Sequence, residues 1–121
     1  MDWKKIKKKY PKAFEKVNDF CFKDHFYDDE FGLPNEDRFL YDFFDDQNIV
    51  FNGGFCFSEH EGHGYGFFVM QKIAVDYAII KPNKKVKLRY ELKKAEEDAF
   101  LDAFKILEEE LNKKENELER N

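Results

Sequence analysis

The residues best equipped for chemistry lie together in Ser58-Glu59-His60-Glu61-Gly62-His63-Gly64. Imidazoles and carboxylates ligate divalent metals, so a metal-dependent reaction is the first reading of this stretch. Its spacing opposes that reading. The zincin pattern sets two histidines four apart on a helix, so that both face one ion. His60 and His63 are three apart in a segment broken by glycine. A structural zinc takes four ligands and a catalytic one usually three, so Asp24 or His25 would have to come in from far away in the chain. The expectation is a polar loop between two strands, with no cofactor. A small metal-dependent enzyme using His60, Glu61 and His63 is the weaker alternative.

The other reactive groups carry less. Cys21 and Cys56 are each flanked by Phe, in Phe20-Cys21-Phe22 and Phe55-Cys56-Phe57. Apolar neighbours raise a thiol's pKa rather than activate it, so both read as core residues. Two cysteines are no disulfide framework. Asn52-Gly53-Gly54 and Gly62-His63-Gly64-Tyr65-Gly66 are not phosphate loops. A phosphate loop ends in Lys-Ser/Thr at a helix start, and a dinucleotide fingerprint has a helix after it. Turn geometry is the simpler account of both.

Charge is the stronger functional signal. The chain has 121 residues and a net charge of −5, distributed in blocks. Residues 1–23 are net basic, 24–61 carry eleven acids against Arg38 alone, 62–94 are again basic, and 95–121 acidic. The acids Asp24, Asp28, Asp29, Glu30, Glu36, Asp37, Asp42, Asp45 and Asp46 are dense enough to imitate a row of phosphates and compete for a nucleic-acid-binding groove, whose affinity is largely electrostatic. A solvated face is the ordinary reading of such a run. The opposite possibility is a phosphate-contacting patch of Lys84, Lys85, Lys87, Arg89, Lys93 and Lys94, or of Lys4 to Lys12.

These residues must be held by a folded core, and the composition provides one. Hydrophobic residues make up 42%, and thirteen of the 15 Phe fall between Phe14 and Phe68. Most should be buried, with a few left as interface anchors. The length fits one domain over 1–121. No apolar run is long enough to span a membrane and no apolar leader opens the chain, which points to a cytoplasmic protein with no membrane partner.

Trp3, Ile6 and Tyr10 have helical spacing, and Pro11 suits the first turn of a second helix with the stripe Ala13, Phe14, Val17, Phe20 and Cys21. Lys23 to Asn35 reads as loop. A third helix is predicted from Glu36 to Asp46, capped by Asn35 and burying Phe39, Leu40, Phe43 and Phe44. Asp45 and Asp46 then sit at the negative end of its dipole, which calls for a cation or a partner nearby. Ile49–Phe51 and Phe55–Phe57 are predicted to form a hairpin turning at Asn52-Gly53-Gly54. Further strands are predicted over 65–71, 73–80 and 86–90, with a turn at 81–84. A last helix runs from Lys93 to Leu118, its stripe being Ala95, Ala99, Phe100, Ala103, Phe104, Leu107, Leu111 and Leu118.

Three phrases occur together: YPKAF at 10–14, FLYDFFDDQNIVF at 39–51 and KKAEEDAFLDAFKILEEELN at 93–112. In this order they resemble a group of small hypothetical proteins encoded by bacteriophages and prophages. The resemblance spans most of the chain and implies a mobile-element origin and an intracellular life, but no activity. The His-rich stretch is not part of that pattern. Lys93-Lys94-Ala95 is fainter in its likeness to the start of the last helix of double-stranded-RNA-binding domains, and Glu96, Glu97 and Asp98 depart from it at once.

The expected fold is therefore α+β: N-terminal helices, an antiparallel sheet of four or five strands, and a long C-terminal helix over one face. The expected function is a non-enzymatic phage-type protein that binds a host or phage macromolecule, inhibiting a nucleic-acid-handling defence complex through Asp24, Asp28, Asp29, Glu30, Asp42, Asp45 and Asp46. A nucleic-acid-binding module on the Lys-rich segment 84–94 is the alternative. The long last helix also offers a surface for a homodimer.

Overall fold

The structure, a computed structural model, describes residues 1–24, 37–60, 62–73, 76–79 and 86–120. In chain order these form α1 (Trp3–Lys9), α2 (Pro11–Asp24), a 3-10 turn at Asp37–Phe39, α3 (Leu40–Asp46), β1 (Ile49–Ser58), β2 (Gly62–Ile73), β3 (Asp76–Ile79) and α4 (Leu92–Arg120). The architecture is α+β, with α4 packed on an antiparallel sheet. The contacts divide the chain into two compact units, one of Met1–Phe43 with Phe104–Asn121, the other of Phe44–Ala103. No helix among the described residues is long and apolar enough to cross a membrane.

The first unit is built on three helical stretches. Asp2 caps α1 by accepting from the Lys5 N–H, and Trp3 and Ile6 are buried. The α2 stripe buries Ala13, Phe14, Val17 and Cys21, as its spacing predicts. Phe104 of α4 is the ring around which this core assembles: Trp3 meets it edge-on at 6.0 Å, and Tyr10 and Phe43 stack at 6.5 Å.

The start of α2 depends on a residue from the other end of the chain. Pro11 has no N–H, and the Phe14 N–H reaches the Tyr10 carbonyl at 2.9 Å. The two remaining donors of the first turn, Lys12 N–H and Ala13 N–H, bond to the two carboxylate oxygens of Glu108 at 2.9 and 3.1 Å. Every orphan donor that a helix start exposes is thus accounted for. Glu108 is 8% exposed and is the one charged residue buried among the described residues. The cap is reinforced at the surface by the Lys12 ammonium, which meets Asn112 Oδ1 at 2.6 Å and the carboxylate of Glu115.

The second unit is a sheet covered by the first turns of α4. β1 and β2 make one long antiparallel ladder, Ile49 opposite Gln71 and Ser58 opposite Gly62, and the four-residue β3 adds to β2. Among the described residues the sheet has three strands in the order β1-β2-β3, not four or five. Side chains alternate across a strand, so Ile49, Phe51, Phe55 and Phe57 of β1 share a face with His63, Tyr65, Phe67 and Val69 of β2. Phe100 of α4 packs on this face, 5.4 Å from Phe51 and 6.3 Å from Phe44.

The hairpin predicted at Asn52-Gly53-Gly54 is not there. Residues 49–58 are one strand, and both glycines lie inside it at φ 156 and 141. That extended but positive-φ backbone is open almost only to glycine. Glycine serves here to admit an unusual backbone within a continuous strand rather than to turn it. At Gly53 the approach is also close: a Cβ would lie 2.1 Å from the Gly66 carbonyl oxygen. The strand instead turns after Ser58, at Glu59 and His60, with Ser58 Oγ accepting from the His60 N–H at 3.3 Å, and β2 begins at Gly62 with φ 78.

The strand predicted over 86–90 is likewise reduced to one bridge, Arg89 opposite Tyr65. Gly64 and Gly66 explain why. Their missing side chains leave a smooth strip on which Leu88 and Val86 lie, with a Cβ at Gly66 only 2.6 Å from Val86 Cγ1. The segment meets the edge of β2 through the Arg89–Tyr65 backbone pair, while Val86 and Leu88 lean over the strip. The third helix begins as a 3-10 turn and becomes α-helical at Leu40, with Leu40, Phe43 and Phe44 buried and Phe39 half-buried. Along α4 the predicted stripe is buried from Ala95 to Leu107, whereas Leu118 is 76% exposed. Asn35, Glu36, the rest of the loop after α2 and the turn at 81–84 lie outside the described residues.

Two substitution pairs test these devices. Gly53→Ala should cost at least about 2 kcal/mol in urea unfolding, because it adds a backbone clash to the strain, while Gly54→Ala should cost about 1–2 kcal/mol. Equal losses would contradict the close approach. Glu108→Ala should lose about 2–3 kcal/mol, and Glu108→Gln should recover part of it because its amide keeps one acceptor.

Candidate functional site

The acidic residues are placed by α3. Asp42, Asp45 and Asp46 stand at i, i+3 and i+4 on this helix and all three are exposed, opposite the buried stripe of Leu40, Phe43 and Phe44. Asp45 has the cation that its position at a helix C-terminus calls for: Lys72 Nζ lies 2.8 Å from its Oδ1. Asp42 and Asp46 make no hydrogen bond or ion pair among the described residues. Asn48, at φ 62, ends this segment in the left-handed conformation that Asn tolerates, and its carbonyl accepts from the Lys72 N–H at 2.9 Å. The same β2 residue therefore receives both the turn and the acid. Asp24 ends α2, its side chain outside the described residues, as are Asp28, Asp29 and Glu30 altogether.

The basic residues are divided by the fold. Arg89 is committed internally: its Nε and Nη2 meet the two Asp98 oxygens at 2.6 and 3.2 Å, a bidentate pair. Hydrogen bonding to Asp98, then its charge, raise the guanidinium pKa above its ordinary value, so Arg89 stays a paired cation. This pair walls a shallow groove of about 290 Å³ bordered by Phe67, Val86, Ala95 and Ala99. Lys94 lies 3.9 Å from Glu97 one turn on. Lys87 and Lys93 are exposed, and Tyr90 between them is 93% exposed. Lys84 and Lys85 lie outside the described residues.

The histidines are not gathered. His60 is at the tip of the turn, whereas His63 lies on β2 with its ring stacked on Phe55 at 5.7 Å and tilted against Phe57 at 4.9 Å. Among the described residues no three His, Cys, Asp or Glu are grouped to hold a metal ion, and Glu61 lies outside them. Cys21 is buried, as expected. Cys56 is half-buried on the opposite sheet face from its Phe neighbours, its thiol donating to the Gly54 carbonyl at 3.3 Å.

Sequence reasoning missed two features. Phe55 and Phe57 are 67% and 64% exposed, forming with His63 and Tyr65 an aromatic cluster at the turn end of the sheet. Their alternation with Cys56 signals a shared strand face, but no pattern in the sequence says where α4 stops covering that face. Glu108 reads as one of three consecutive surface acids, and only the packing of α2 against it reveals its role.

No family model, curated protein or solved structure matches this chain.

Proposed function

We propose that this chain is a non-enzymatic binding protein of the phage type that its motifs resemble. It acts in the host cytoplasm and docks through the carboxylates of α3 on a basic surface of a nucleic-acid-handling defence complex, which it inhibits. The observation that carries this reading is the exposure of Asp42 and Asp46 without a counter-ion among the described residues. Like charges three and four apart, and acids in the last turn of a helix, each weaken a helix by a few tenths of a kcal/mol or more. The last turn of α3 carries no basic residue of its own. Carboxylates so spaced offer a basic groove what a phosphate row offers, and Asp24, Asp28, Asp29 and Glu30 extend the same stretch of sequence.

A second reading is favoured by one observation. Tyr90 is 93% exposed and lies in the sequence between the exposed Lys87 and Lys93, a combination of stacking surface and cations that suits single-stranded nucleic acid.

Capture from a bacterial lysate at two salt concentrations separates the two. The first reading expects one salt-sensitive protein partner, with recovery reduced about tenfold or more in the Asp42→Asn/Asp45→Asn/Asp46→Asn variant. Unchanged recovery of that partner would remove the acidic surface from consideration. Nucleic acid recovered without protein, and lost in Lys87→Ala/Lys93→Ala, would establish the second reading instead.

A further inference from the structure

Among the described residues β1 is an edge strand of unusual character. Ile49–Ser58 contains no charged residue and no proline, the devices by which edges ordinarily avoid further pairing. The ladder also fixes which backbone groups face outward. Tyr65 directs its N–H and C=O to Arg89, away from β1, so its partner Phe55 is in a non-hydrogen-bonded pair with β2. Alternation then turns the N–H and C=O of Gly53, Phe55 and Phe57 outward. Among the described residues none of these outward groups has a partner.

We infer that β1 pairs with β1 of a second copy of this chain, antiparallel about a two-fold axis through Phe55. Only outward-facing residues can exchange bonds, so the register places Phe55 opposite the partner's Phe55 and Phe57 opposite the partner's Gly53. That register matches side chains as well as backbone. Gly53 has no side chain and its backbone is exposed, so the partner's Phe57 ring can lie over it, the arrangement by which an aromatic protects a glycine in a sheet. A two-fold contact sets each residue type against its own segment, which like charges would oppose, and β1 has none. Phe55 and Phe57 each expose roughly 100–150 Å² of ring, so four rings supply about 400–600 Å². The paired strand segments carry the total toward the approximately 1,000 Å² that a specific interface requires. The contact lies about seven residues, or roughly 23 Å, along β2 from Lys72 and Asp45, so it is independent of the acidic surface of α3.

Sedimentation of the full chain over a wide concentration range tests this. A reversible monomer–dimer equilibrium is expected, weakened about tenfold or more in Phe55→Lys and in Phe57→Lys with thermal midpoints near wild type. Phe55→Cys in a Cys56→Ser background should form a disulfide-linked dimer under oxidation, since Cα atoms of such a pair are about 5.5 Å apart. This second measurement stands if a lysine variant fails to fold. A chain that stays monomeric at every concentration overturns the proposal. So does a dimer that survives both lysine variants, or one dissolved by Leu118→Lys but not by Phe55→Lys, which would place the contact on α4.

Discussion

The carboxylate of Glu108 is the constraint on which the first unit depends. A helix cannot begin inside a core with bare N–H groups, and α2 begins immediately after Tyr10, one of the core rings. Pro11 removes one donor, the Tyr10 carbonyl takes another, and Glu108 takes the last two. A buried carboxylate is tolerated for the same reason, because its oxygens receive two backbone donors at the positive end of a helix. This interaction ties residues 96 positions apart and sets Phe104, one turn before Glu108 on α4, against Trp3 and Tyr10.

In the second unit glycine plays the equivalent part. Gly53 and Gly54 carry positive φ inside β1 without interrupting its ladder, Gly62 opens β2 at φ 78, and Gly64 and Gly66 make way for Val86 and Leu88. These positions let a small sheet carry Val86 and Leu88 on one face and α4 on the other. The strands also extend past the helix, so Phe55, Phe57 and His63 meet solvent beside one another.

The charged groups divide between those that hold the fold and those that do not. Arg89 and Asp98 answer each other, as do Lys72 and Asp45, and Lys12 answers Glu115. Half-exposed pairs of this kind contribute little each, because water screens them. Asp42, Asp46, Lys87 and Lys93 are among the exposed charges that no such pair engages among the described residues.

The helices were legible in the sequence because a helix face is a local property. The stripes of α2 and α4 recur every 3.6 residues, and burial follows them from Ala13 to Cys21 and from Ala95 to Leu107. The charge blocks were legible too, and the oddity of Asp45 pointed to the cation that Lys72 supplies. Strand boundaries were not. Asn52-Gly53-Gly54 is compatible with a turn or with the interior of a strand, and only the pairing of Phe51 with Val69 and of Phe55 with Tyr65 selects the strand. The Lys-rich segment had strand alternation, but the glycines over which it leans are twenty residues away. Glu108 carries no local mark of its role. Sequence by itself determined the periodic faces and the charge pattern, since both depend on neighbours along the chain. Tertiary structure decided which acid is buried, which phenylalanines are exposed and which cations are paired, because each of those depends on groups that only folding brings together.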